Sequence, residues 1–266
     1  MENFLTKSEN KISNQFEKKG YLIFKSRNNL LYKEFEKIIK FLLIKKIKNK
    51  KKILFNYLLN NFHQFIDKRD INSIRLEIIK KINLSKKIRY LYFLNTKDFL
   101  YNLVGNELVM QNKINLSIQL PEDDSSLLAL HSDTWSGDSP FEIVVWFPLV
   151  DCLKTKSMYL LRSSKLSNFN KKIKKFNNFN QINNKKKNLK DFVWLKVKKG
   201  ETLIFNQNIP HGNVINKEKT TRWSFNCRFK SIFSPYGDKK IGEFFKPISM
   251  RKMSEIGINY KLPKIK

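Results

Sequence analysis

An α+β fold is predicted, helical in its first part and strand-rich in its second. Up to about residue 100 the apolar residues recur every three or four positions with Lys and Glu between them. From residue 114 they alternate or run together in short stretches bounded by turn residues. A chain of 266 residues with 41% hydrophobic content can bury one large core, so residues 1–266 are read as a single domain.

Taken in order, FEKKGYLIFK (16–25) reads as a polar lead, a Gly-Tyr turn and a short strand at 20–25. LLYKEFEKIIKFLLIKKI (30–47), ILFNYLLNNFHQFI (53–66) and INSIRLEIIKKI (71–82) are amphipathic helices, which makes 1–110 a mainly helical support. The strands INLSIQL (114–120), FEIVVWFPLV (141–150), SMYLL, FVWLKV, TLIFN and TRWSFNCRFKSIF then fill 111–235. Residues 165–190, rich in Lys and Asn with a few Phe and Ile, are an insertion between strand groups, read as a short helix and a solvated loop in preference to an active-site lid. Residues 236–266 form a C-terminal tail, and no solenoid-length repeat is visible.

The formal charge of +30 would suit a polyanion partner. The excess is almost all Lys and accompanies abundant Asn, Ile and Phe, so A/T-rich coding accounts for it. Arg, the residue suited to forked phosphate contacts, is scarce, and no specific nucleic-acid partner is expected. No run of roughly 18 apolar residues predicts a membrane span, and no export pattern opens the chain, so the cytoplasm is the expected location. Cys152 and Cys227 lie too far apart in sequence to suggest a disulfide framework or a thiolate metal site.

Of three histidines, His131 opens HSDTWSGDSP with Asp133 two residues on. In extended chain these two side chains point the same way, so one metal can meet both. His211 follows the strand TLIFN in IPHGN. Two imidazoles and one carboxylate would make the facial triad of non-haem Fe(II) oxygenases, which leaves three coordination positions open. Arg222 and Ser224 share a face of the last long strand, and a guanidinium fork beside a hydroxyl suits the far carboxylate of a dicarboxylate. His63, in an apolar helical stretch, is read as structural.

The ordered set of His131-x-Asp133, the strand entry GETLIFN (200–206), His211 and Arg222-x-Ser224 resembles the 2-oxoglutarate/Fe(II)-dependent oxygenase superfamily, in its phytanoyl-CoA-dioxygenase-like branch. The block SIQLPEDDSSLLALHSDTWSGDSPFEIVVWFPLVDCLKTKSMYLL resembles, more narrowly, oxygenases found sporadically in carbohydrate-biosynthesis clusters and related to a streptomycin-biosynthesis protein. The resemblance is dense over 114–162 and 198–232 and absent from the Lys/Asn insertion. It implies a double-stranded β-helix (a cupin-like jelly roll) with the helical N-terminal part packed on one sheet. It further implies Fe(II) held by His131, Asp133 and His211, and 2-oxoglutarate as cosubstrate anchored by Arg222 and Ser224. The reaction expected is hydroxylation or another oxidation of a small molecule, a sugar or nucleotide-sugar on the narrower resemblance.

Gln119 and Thr155 are further candidates for hydrogen bonds to the cosubstrate, and Arg228, in register with Arg222, is the alternative anchor. Trp135, Ser136 and Asp138 are candidates for walling a substrate cavity. Where many relatives carry Pro-Gly-Ser-His this chain has LLRSSK (160–165), so the neighbouring loop is expected to differ. A cupin-like sugar isomerase or epimerase, or a non-catalytic metal-binding module, would share the barrel without needing the Arg222–Ser224 pair.

Overall fold

Thr6 starts the first helix by a reciprocal cap: its hydroxyl accepts from the Glu9 backbone N–H, and the Glu9 carboxylate accepts from the Thr6 N–H. Gly20, at φ 78°, ends that helix in the left-handed conformation and turns the chain into a strand. The polar lead expected at 16–19 is therefore the last turn of a helix, α1 (Lys7–Lys19), ahead of β1 (Tyr21–Lys25). This computed structural model describes residues 4–27, 29–47, 53–173 and 189–263.

The helical support continues as α2 (Leu30–Lys46), α3 (Phe55–Asn60), α4 (Ile71–Leu84), α5 (Lys86–Leu94) and α6 (Lys97–Val104). The helix expected over 53–66 is cut short at Asn60 because two of its last carbonyls are taken by a distant strand. Leu59 O accepts from Trp223 Nε1 at 3.0 Å, and Asn60 O from the Thr221 N–H at 2.8 Å. Only a 3-10 turn, Phe62–Gln64, follows.

The strands are β2 (Leu108–Gln111), β3 (Asn115–Gln119), β4 (Ile143–Pro148), β5 (Tyr159–Leu161), β6 (Phe192–Trp194), β7 (Glu201–Asn206), β8 (His211–Gly212), β9 (Arg222–Ser231) and β10 (Phe245–Ser249). Helix α7 (Ser163–Ile173) separates β5 from β6, and α8 (Lys252–Asn259) follows β10. The expected insertion thus begins as a helix, and residues 174–188 lie outside the described residues. The expected tail instead carries β10, which pairs antiparallel with β2.

Seven strands form the larger sheet in the order β1-β7-β4-β9-β2-β10, with β3 beside the first half of β9. The smaller sheet, β6-β5-β8, is extended by a bridge between His131 and His211. This is the helix-buttressed, cupin-like β-helix expected.

Strand β9 shows how two periodicities divide the molecule. Trp223, Phe225, Cys227 and Phe229 are buried, and the aromatic three meet the helical layer. Phe225 stacks on Phe35 of α2 at 4.2 Å, Trp223 meets Phe62 edge-on at 4.8 Å, and Phe229 lies parallel to Tyr92 of α5. The alternate residues Arg222, Ser224, Asn226 and Arg228 line a cavity between the sheets. The same strand therefore fixes the core and presents the polar row of the site.

Candidate metal and cosubstrate site

His131, Asp133 and His211 come together at the mouth of this cavity, with one ligand atom from each inside a 4.8 Å span. Asp133 Oδ1 lies 3.4 Å from His131 Nε2 and 3.9 Å from His211 Nε2. Backbone pairing brings them there. The N–H of His131 donates to the His211 carbonyl, the N–H of His211 donates to the His131 carbonyl, and the Asp133 N–H reaches Gln207 O. Each imidazole is also fixed in tautomer. His131 Nδ1 faces the Ala129 carbonyl at 2.7 Å and His211 Nδ1 the Ile209 carbonyl at 2.9 Å; a carbonyl only accepts, so both Nδ1 atoms carry the proton and both Nε2 atoms are free to ligate.

Electrostatics keep the carboxylate ionised. Burial would raise the Asp133 carboxyl, but hydrogen bonds and charges from His131, Arg228 and His211 outweigh it and hold the group well below the usual carboxylate range. Burial pushes His211 down to about 4, so it is neutral near pH 7. Burial also opposes charging His131, yet its hydrogen bonds to Asp133 and the Ala129 carbonyl raise it above the ordinary imidazole value.

At the other end of the cavity Arg222 is 3% exposed and makes no ion pair among the described residues. Its Nη2 donates to Ser117 Oγ at 3.0 Å, while its Nε and the Oγ of Ser224 are buried without partners. Ser117 stands directly across from Ser224 in the β3–β9 register. Buried charges are ordinarily paired and buried donors satisfied. A guanidinium, an orphaned N–H and two hydroxyls facing one small cavity fit the far carboxylate of 2-oxoglutarate. The cavity is about 120 Å³, and its remaining walls include Leu128, Val144, Trp146, Met158, Phe205 and Asn213.

Of the other candidates, all but Arg228 lie outside the cavity lining. Gln119 lies across from Arg222 on β3 and is fully buried, but it does not line the cavity: its Nε2 donates to Val214 O at 2.7 Å, leaving only Oε1 unpartnered. Thr155 is drawn away, donating to Glu218 Oε1 at 3.0 Å and accepting from the Lys217 N–H. Arg228 also lines the cavity, but its Nη2 lies 2.9 Å from Asp133 Oδ2, beside the triad rather than beside Ser117 and Ser224. Trp135 stacks on Phe169 of α7, Asp138 pairs with Lys239, Ser136 is exposed, and none of the three lines the cavity. His63 Nδ1 is 3.0 Å from the Thr221 hydroxyl. Sequence reasoning missed Ser117, Asn213 and Asn226; Ser117 could have been found from the alternation of INLSIQL once that strand was paired with TRWSFN.

The fold is shared with solved non-haem enzymes, among them ones that depend on 2-oxoglutarate. Among solved structures with this architecture are the apo form of the non-haem monooxygenase ThoJ (15% identity, TM-score 0.57, covering 91% of this chain and 84% of that one), the non-haem α-ketoglutarate-dependent carbocyclase SnoK from nogalamycin biosynthesis (12%, TM-score 0.51, 92% and 97%), and HygX from Streptomyces hygroscopicus with nickel and 2-oxoglutarate bound (12%, TM-score 0.52, 87% and 89%). No protein-family model matches the chain, and no curated protein does. Among the described residues no helix is long and apolar enough to cross a membrane.

Proposed function

We propose that this chain is an Fe(II)- and 2-oxoglutarate-dependent oxygenase acting on a small molecule, of the sugar or nucleotide-sugar class that the sequence resemblance implies. The observation that carries the reading is the presence of two complementary features in one cavity: a two-imidazole, one-carboxylate cluster at one end and the unpaired Arg222 with Ser224 at the other. A metal alone would account for the first and a stray anion for the second. A keto-acid that chelates through one end and carries a carboxylate at the other accounts for both.

In this reading His131, Asp133 and His211 hold Fe(II), with both Nε2 atoms and Asp133 Oδ1 turned toward one another to receive it. Arg222, with Ser117 and Ser224, grips and orients the cosubstrate's far carboxylate. Val144, Trp146 and Phe205 make the walls apolar, limiting water around the reacting groups. The bound iron and cosubstrate supply, on reaction with dioxygen, the oxidising power to remove hydrogen from an unactivated carbon. The protein supplies the open coordination face and the orientation. The retained Asp133 favours oxygen insertion or desaturation over halogenation, which needs the carboxylate's place for a halide.

The test is slow turnover of 2-oxoglutarate to succinate without added substrate, under air with Fe(II). Succinate formed by the wild type and not by Asp133→Ala supports the reading, and full turnover in Asp133→Ala contradicts it.

A further inference from the structure

We propose that Arg228 is a positioning residue that makes Asp133 a one-oxygen metal ligand and so keeps a coordination position free for cosubstrate or dioxygen. The inference rests on the oxygenase reading and adds to it how the open positions are defended. A carboxylate can meet a metal through one oxygen or both, and a second bound oxygen would take one of the three positions a facial triad leaves open. The two Asp133 oxygens are in different surroundings. Oδ1 faces the two imidazoles, 3.4 and 3.9 Å from their Nε2 atoms, whereas Oδ2 is 2.9 Å from Arg228 Nη2.

Arg228 is itself held in place. Its Nε donates to Gln207 Oε1 at 3.0 Å, and its guanidinium lies 3.6 Å from Asp138 and 3.9 Å from Glu142. Gln207 Nε2 in turn donates to Ser139 O and Glu142 Oε2, at 3.0 and 3.1 Å, and Lys239 pairs with Asp138. Asp138, Glu142 and Gln207 are all buried. For Asp133 to swing Oδ2 toward the metal, it would have to leave a buried guanidinium that this network does not let follow. Such a framework costs more to break on one side than it contributes as a whole.

The test uses the full chain loaded anaerobically with Fe(II), in wild type, Arg228→Met and Arg228→Lys, with circular dichroism to check folding. Metal affinity is measured by competition with a chelator, and 2-oxoglutarate affinity from the visible charge-transfer band. Removing a cation beside the ligand should leave Fe(II) affinity within about threefold of wild type or strengthen it, since less positive charge repels the ion. It should weaken 2-oxoglutarate binding by about tenfold or more, because the freed oxygen competes for a position. Arg228→Lys, which keeps a donor, should recover most of the loss, and Co(II)-substituted Arg228→Met should show a changed visible spectrum before any cosubstrate is added. Should Arg228→Met not fold, Gln207→Leu removes the amide that holds the Arg228 Nε without changing any charge, and it is expected to weaken 2-oxoglutarate binding while leaving Fe(II) affinity within about threefold of wild type. A parallel fall of both affinities, the sign of general disruption, overturns the proposal, as does an unchanged 2-oxoglutarate affinity. Absence of the band in wild type removes the oxygenase reading itself, and this inference with it.

Discussion

His131 and His211 hold each other by their backbones: the N–H of each donates to the carbonyl of the other, at 2.9 and 2.8 Å. The strand contact that unites the metal ligands therefore does not depend on the imidazoles. His211→Ala should abolish tight Fe(II) binding while the chain still folds. The Ile209 carbonyl loses one hydrogen bond, worth about 1 kcal/mol. Equilibrium metal binding and a thermal melt would show this as loss of the metal with a shift of only a few degrees.

Arg222 should behave in opposite ways with and without cosubstrate. Replacing it with Met removes a buried cation whose Nε has no partner, so the metal-free protein should melt at the same temperature or higher. The same change should weaken 2-oxoglutarate binding by at least about 30-fold, the scale of losing one side of a buried charge pair. Ser117→Ala should weaken it by only about fivefold, as expected for one neutral hydrogen bond. Calorimetry with and without ligand reads both effects.

The metal site should lose affinity with one proton, not two, as pH falls. Fe(II) needs both imidazoles neutral. His131 is raised above the ordinary imidazole value in the metal-free protein, so a proton competes with the metal there at higher pH than at a free imidazole, whereas His211, lowered to about 4, does not compete until far lower pH. The logarithm of affinity plotted against pH should have a slope near one between about pH 6.5 and 5. A slope near two there would show that both rings titrate together.

The helical layer should be coupled to the site through β9. Phe35 is fully buried and stacks on Phe225, whose strand neighbours Ser224 and Asn226 line the cavity. Phe35→Ala should cost about 3–5 kcal/mol of stability, measured by urea unfolding.

What was legible in the sequence is what local pattern carries. The three-and-four spacing marked α2 and α4, and alternation marked β3 and β9. Two-residue spacing placed the side chains of His131 and Asp133 together and put Arg222, Ser224 and Arg228 on one face. What depends on pairing between distant segments was hidden. Trp223 and Thr221 take the carbonyls of Leu59 and Asn60 and so shorten a helix that its own periodicity would extend to residue 66. Ser117 enters the site only because β3 lies beside β9, and Thr155 leaves it because Glu218 and Lys217 engage its hydroxyl. Arg222 and Arg228 have the same strand parity, and only the position of Asp133 separates their partners.

The most direct measurement is anaerobic titration of the Fe(II)-loaded protein with 2-oxoglutarate, followed by the weak visible charge-transfer band of the chelated metal, in wild type and Arg222→Ala. A saturable band is expected in wild type, and Arg222→Ala should need far more 2-oxoglutarate to reach it. No band in wild type at saturating iron and 2-oxoglutarate would contradict the oxygenase reading.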